Sequence, residues 1–124
     1  PDDRYRLRAL VSAWIAEPAV DGILVTGGTG FTGRDSTPEA LLPLLDKEMP
    51  GFGEMFRAIS VGEIGTASLQ SRAFAGVANA TFLFALPGST SACRTAWEQI
   101  IVHQLDVRTR PCNLAGLRPR LGEA

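Results

Sequence analysis

Two segments with unbroken apolar centres, each ending in a glycine turn, restrict this chain more than any other feature. The first is Val20 to Thr26, with Ile23-Leu24-Val25 at its centre and Gly27-Gly28-Thr29-Gly30 directly after it. The second is Thr81 to Leu86, followed by Pro87-Gly88-Ser89. A strand without polar alternation is the mark of a parallel strand covered on both faces. Helical patterns separate the two runs, which predicts an α/β fold with a mostly parallel central sheet. In such sheets ligands bind at the carboxyl ends of the strands, where both turns fall.

The spacing predicts several helices. Leu7, Leu10, Val11, Trp14 and Ile15 form one helical face between Asp3 and Glu17, with Asp2 and Asp3 as N-cap candidates and Pro18 as the stop. Thr37-Pro38 reads as a helix start, with the threonine hydroxyl as cap and proline in the first turn. Leu41, Leu42, Leu44 and Leu45 give that helix its apolar side, and Pro43 is expected to bend or tighten it. Met49 to Gly53 reads as a turn and Glu54 to Ser60 as a helix with Met55, Phe56 and Ile59 inward. Gly62 and Gly65 read as breaks. Ala67 to Ala78 reads as helical, and Thr90 to Leu105 as a long helix with Ala92, Ala96, Ile100 and Ile101 inward.

With 124 residues the chain is read as a single domain over 1–124, with an irregular tail over 107–124 marked by Pro111, Gly116, Pro119 and Gly122. It opens at Pro1-Asp2-Asp3 directly before a helix, and two strands alone do not make a stable open sheet. Further strands are therefore expected upstream. The formal net charge of -1 gives no field that favours nucleic acid or an acidic membrane. No apolar stretch approaches the roughly 18 residues of a membrane-spanning helix. Cys93 and Cys112 lack metal-site spacing and read as reduced thiols of a cytoplasmic protein. His103 is the only histidine and builds no metal site alone.

Gly28-Thr29-Gly30-Phe31-Thr32-Gly33 matches G-x-G-x-x-G, so a dinucleotide-binding oxidoreductase has to be weighed. In that motif the helix opens within the glycine pattern, whereas here the start signal comes later, at Thr37-Pro38. The motif also needs an acidic residue about 20 positions on, at a strand end. Asp46 and Glu48 have that spacing but read as part of the leucine-rich helix. No Gly-Lys-Ser/Thr follows, which excludes a Walker A loop. What remains is a turn whose successive N–H groups can form an anion nest. Asp35, Ser36 and Thr37 follow it. A carboxylate beside an anion nest fits a divalent cation that bridges it to phosphate oxygens, and Arg34 is placed to contact phosphate. Pro87-Gly88-Ser89-Thr90-Ser91 offers a second set of N–H groups and hydroxyls. On one sheet edge the two turns would form a single crevice.

G-G-T-G-x-x-x-R-D-x-T-P-E-A at Gly27 to Ala40, P-G-F-G-E at Pro50 to Glu54, S-R-A-x-A-G at Ser71 to Gly76 and L-P-G-S at Leu86 to Ser89 occur in this order. Together they resemble the MogA/MoaB family of molybdenum cofactor biosynthesis proteins. The segment Gln104 to Asn113 resembles the MoaB branch. The resemblance implies a three-layer α/β/α fold that assembles as a homotrimer, or as a hexamer in the MoaB branch. It implies adenylyl transfer, in which the terminal phosphate of molybdopterin attacks the α-phosphate of ATP with Mg²⁺ and pyrophosphate leaves. A downstream insertase would then place molybdate. It assigns Asp35, and Asp2 in its Pro-Asp setting, to catalysis and Mg²⁺. Gly27, Gly28, Thr29, Gly30, Arg34, Ser36 and Thr37 fall to the molybdopterin and phosphate pocket. So do Ser71, Arg72, Pro87, Gly88, Ser89, Thr90 and Ser91. A rival within the same pathway is a pterin-binding or assembly protein without the transfer activity.

Overall fold

The computed structural model describes residues 3–122. Helix α1 spans Arg4–Ala16, and the Asp3 side chain caps it by accepting from the N–H groups of Tyr5 and Arg6. Strand β1 is Gly22–Thr26. Helix α2, Thr37–Leu41, tightens into a 3₁₀ turn over Leu42–Leu44, where Pro43 removes an N–H donor. The short strand β2 is Lys47–Glu48, and helix α3 runs Pro50–Ile64. A 3₁₀ stretch, Gly65–Gln70, leads to strands β3, Phe74–Ala78, and β4, Thr81–Leu86. Helix α4 begins over Thr90–Ala96 and continues through a π-helical turn, Trp97–Ile101, and a last turn, Val102–Gln104. A short helix α5, Leu114–Leu117, and a 3₁₀ turn, Arg118–Arg120, come after it.

The sheet order is β1-β4-β3-β2. β4 is buried along its whole length. Its side chains alternate between two cores, as strand geometry requires. Phe82, Phe84 and Leu86 meet Phe52 and Phe56 of α3 and Ala96, Ile100 and Ile101 of the α4 region. Leu83 and Ala85 meet Val11 of α1, Ala40 and Leu41 of α2 and Ile23 of β1. Helices therefore cover both faces, and the three-layer α/β/α arrangement results from that alternation.

The sheet is mixed, where the two apolar runs predict it mostly parallel. β1 and β4 pair in parallel, while β4–β3 and β3–β2 are antiparallel. The difference lies in Ala67 to Ala78, whose sequence reads as helical. Its second half is β3, joined to β4 by the two-residue turn Asn79-Ala80. Both turn residues have positive φ, 49° and 60°. That is the primed-turn geometry matching the twist of antiparallel strands. Alanine is strained there, so Ala80→Gly is expected to raise stability by about 1 kcal/mol, read as a higher denaturation midpoint.

Three further expectations change. Met49 to Gly53 is not a free turn, because α3 already starts at Pro50. Proline suits the first helical position, which lacks an intrahelical acceptor for its missing N–H. Gly62 lies inside α3, and only Gly65, at φ 64°, ends it. Asp46 and Glu48 are not on a helix: Glu48 is in β2, and Asp46 accepts from the Asn79 N–H at 2.8 Å. The tail, irregular by sequence, is locally ordered by Asn113. Its side chain donates to the carbonyls of Val107 and Thr109 and accepts from the Gly116 N–H. Arg118 fastens the tail to the sheet, pairing with Asp21 at 2.8 Å and donating to the Ala80 carbonyl. Among the described residues no helix is long and apolar enough to cross a membrane.

Candidate functional site

The glycine turn after β1 is shaped by backbone ties at both of its ends. The Gly27 N–H donates to the Leu86 carbonyl at 2.8 Å, so the turn leaves the sheet tied to the end of β4. Gly27 and Gly28 take φ of 94° and 72°, a region open to glycine at low cost. The Thr37 hydroxyl donates to the Gly27 carbonyl at 2.9 Å, and the Thr37 N–H to the Gly28 carbonyl at 3.0 Å. A Cβ on Gly28 would collide with that hydroxyl. Thr37 therefore does not cap α2; it fastens the helix start to the turn, and Ser36 holds the N-cap position without a side-chain cap bond.

Asp35 folds back onto the turn. Its Oδ2 accepts from the Thr32 N–H at 2.9 Å and the Thr32 hydroxyl at 2.7 Å. A Cβ on Gly30 would lie 2.7 Å from the same oxygen, so glycine leaves the room that the carboxylate uses. The Thr32 hydroxyl, then the Thr32 N–H, hold the Asp35 carboxyl below its ordinary 3.8, with smaller help from the Gly30 backbone and Arg72. A depressed folded-state value means that the carboxylate adds stability above its unfolded pKa and loses it as pH falls through the folded value. Thr32→Val is expected to move the Asp35 titration up toward 3.8, tracked by the side-chain carboxyl NMR shift.

Arg72 is the clamp of this loop. Nε donates to the Gly30 carbonyl at 2.7 Å and Nη2 to the Asp35 carbonyl at 2.8 Å. Nη1 and Nη2 also grip Glu39 at 2.6 and 3.2 Å. The guanidinium lies 5.4 Å from the centroid of the Phe31 ring, and the Arg72 N–H donates to the Thr29 carbonyl. Arg72 pulls the Glu39 carboxyl below its ordinary value. The planar fork of arginine suits such many-sided contact better than a lysine point charge. The resemblance assigns Arg72 to the pocket; in the structure its side chain bonds the Gly30 and Asp35 carbonyls and Glu39 of α2.

The second turn meets the first. A Cβ on Gly88 would sit 3.5 Å from the Gly27 Cα. Ser89 caps α4 by accepting from the Ala92 N–H at 3.1 Å. Between the turns lies a crevice of about 260 Å³. Thr29, Gly30 and Ser71 line one side, and Pro87, Ser89 and Ser91 the other. The crevice expected from two turns on one sheet edge is thus formed. Its third wall was missed by sequence: Phe56, Ser60 and Glu63 of α3. They recur at i, i+4 and i+7, one helical face, a pattern that the break signal of Gly62 obscures.

The other expected residues do not line the crevice. Gly27, Gly28, Arg34, Asp35, Ser36, Thr37, Arg72, Gly88 and Thr90 belong instead to the two turns or their supports. Arg34 is exposed. Asp2 lies outside the described residues. Among the described residues no three His, Cys, Asp or Glu side chains converge as a metal site. Cys93 is half-buried and donates to the Pro87 carbonyl, and Cys112 is exposed; both are free thiols.

Comparison with known proteins places this geometry. Residues 1–107 match the family described as "Probable molybdopterin binding domain". The chain is 66% identical over 112 residues to molybdenum cofactor biosynthesis protein B of Escherichia coli K12, covering 90% of this chain and 66% of that protein. The corresponding protein of Staphylococcus aureus is 46% identical over 106 residues, covering 85% and 62%. The chain thus spans just under two thirds of the length of these relatives. A crystal structure of a molybdenum cofactor biosynthesis protein B superposes with a TM-score of 0.80 at 44% identity, covering 84% of this chain and 65% of that one. The tungsten cofactor synthesizing protein MoaB of Pyrococcus furiosus gives 0.70 at 42% identity, with coverages of 81% and 64%. The ordered motifs, the mixed sheet between two helical layers and these matches agree, and the chain belongs to the MogA/MoaB family, on its MoaB branch.

Proposed function

We propose that the protein acts in molybdenum cofactor biosynthesis by binding molybdopterin in the crevice between the two turns, and that it adenylylates the bound pterin with ATP and Mg²⁺. The observation that carries this reading is the meeting of two glycine turns, each at the carboxyl end of a strand, on one 260 Å³ crevice. Backbone N–H groups in such turns favour anionic groups. Thr29, Ser89 and Ser91 add hydroxyls that both donate and accept. Adenylyl transfer asks for positioning and charge neutralisation rather than a protein nucleophile. The attacking group is a terminal phosphate oxygen of molybdopterin; it bonds to the α-phosphorus of ATP as pyrophosphate leaves.

Mg²⁺ is a hard cation that takes one or two carboxylates and fills its shell with water and phosphate oxygens, and Asp35 is the described carboxylate of the glycine turn. Asp35 would hold it, with Asp2 as the second carboxylate. When bound it neutralises charge on the phosphates. Asp35 itself stays ionised at all physiological pH, and Arg72 fixes the backbone on either side of it through Gly30 and Asp35 carbonyl bonds. The protein works in the cytoplasm as a homotrimer or hexamer and passes its product to a molybdate insertase, with no nucleic acid or membrane partner in this reading.

One observation favours a second reading, pterin binding without transfer. Asp35 Oδ2 accepts two hydrogen bonds from Thr32, and among the described residues no group of three or more His, Cys, Asp or Glu side chains could hold a metal ion. Incubation with molybdopterin, ATP and Mg²⁺ separates the two. Adenylylated pterin and pyrophosphate are the expected products; pterin retained with no product leaves the binding role alone. A dinucleotide oxidoreductase finds no support, since α2 starts only at Thr37, beyond the whole glycine pattern.

A further inference from the structure

One charged side chain on the crevice wall belongs to neither turn. Glu63, an exposed residue near the end of α3, lines the crevice on its helical wall. Its Oε1 accepts from the Thr95 hydroxyl at 2.7 Å. Thr95 is buried on α4, so a rigid element holds the carboxylate in place. Ile64, 56% exposed, supplies apolar surface beside it. The crevice therefore has a donor end, made by turn N–H groups and hydroxyls, and an acceptor end made by a carboxylate.

That polarity fixes the orientation of a phosphate-bearing ligand. A carboxylate accepts but does not donate, and it repels phosphate at short range. The phosphate turns to the loops, and the far end of the ligand meets α3. On the pterin reading, on which this inference rests, the far end is a 2-amino-4-oxopyrimidine ring. Its 2-amino group and adjacent ring N–H are two donors side by side, spaced to meet the two oxygens of one carboxylate. Oε1 keeps a second lone pair after accepting from Thr95. In this orientation the ring would rest against Ile64.

We propose that Glu63 determines specificity by reading the amino-pyrimidone edge of the pterin, with Thr95 as its positioning residue. The test compares two stable probes by calorimetry: 6-hydroxymethylpterin phosphate, and the matching lumazine phosphate, which carries an oxygen in place of the 2-amino group. The protein is expected to prefer the pterin by about tenfold or more, as a site built around a missing donor does. Glu63→Gln keeps an oxygen for Thr95 but turns one acceptor into a donor. It is expected to bring the two probes to near parity while lumazine affinity stays within about threefold. Pterin preference unchanged in Glu63→Gln overturns the proposal. Equal binding of the two probes by the unmodified protein overturns it too, even if the variant does not fold. Binding of neither probe overturns the pterin reading itself and this inference with it, whereas the first two outcomes leave that reading standing.

Discussion

Arg72→Ala is expected to lose about 3 kcal/mol of stability and to cut any adenylyl transfer by about 10²-fold or more. The side chain donates to two loop carbonyls, Gly30 and Asp35, and grips Glu39 with two nitrogens. Hydrogen bonds from a charged donor are each worth about 1.5–3 kcal/mol when made to sheltered acceptors. The Arg72–Glu39 pair is part-exposed, at 27% and 40%, so it adds little beyond those bonds. The activity loss comes from geometry: a loop that drifts by about 1 Å loses about 10²-fold in rate. Arg72→Lys is expected to recover only a minor part, because an ammonium cannot reach Gly30, Asp35 and Glu39 together. Thermal melts and turnover on the same preparations check both numbers. Full activity in Arg72→Ala would show that the loop does not depend on this clamp.

Asp35→Asn is expected to abolish adenylyl transfer, by about 10³-fold or more, and to leave the fold and pterin binding in place. The amide keeps the size of the side chain and an oxygen for Thr32, so the turn survives. What it removes is the negative charge that would hold Mg²⁺ beside the phosphates, worth several kcal/mol in the transition state. Loss of turnover with retained pterin assigns Asp35 to the chemistry. Turnover that survives the change removes Asp35 from the metal site. The same variant separates the two readings, since a protein that only binds pterin would be indifferent to it.

How much of the fold is legible in the chain depends on where the determining contacts lie. β1 and β4 announce themselves by unbroken apolar centres, although only β4 is buried along its length and β1 buries Ile23 alone. The two turns are legible with them, since each completes a strand. β1 is nevertheless open on one side: Leu24 is 49% exposed although its neighbour Ile23 is buried. β3 is hidden for a different reason. Phe74-Ala75-Gly76-Val77-Ala78 is rich in alanine, which favours helix locally. What makes it a strand is pairing with β4 and β2, and Gly76 leaves the room that pairing needs: a Cβ there would stand 2.5 Å from Leu45 and 2.6 Å from the Lys47 carbonyl. That crowding comes from a neighbouring strand and leaves no local trace.

The site divides in the same way. Gly27, Gly28, Thr29, Gly30 and the Pro87 turn can be placed because they adjoin apolar strands. The use of Arg72 cannot, since its bonds reach back 42 and 37 residues to Gly30 and Asp35. The position of Thr37 before Pro38 marks it as a cap, while its hydroxyl in fact closes onto Gly27. Glu63 escapes notice because a glycine one position earlier looks like a helix end. In each case the local signal is correct about residue type, and the long-range partner decides its use.

Ligand binding between the two turns is the central claim, and a second cavity provides a control. That cavity measures about 350 Å³ and is lined by Met49, Phe52, Met55, Ile100 and His103 among others, away from both turns. Amide NMR of the labelled protein titrated with molybdopterin tests the assignment directly. The largest shifts are expected at Gly27, Gly28, Thr29, Gly30, Gly88 and Ser89, with Glu63 moving in the same titration. Shifts confined to Met55, Ile100 and His103, or absent throughout, would contradict it.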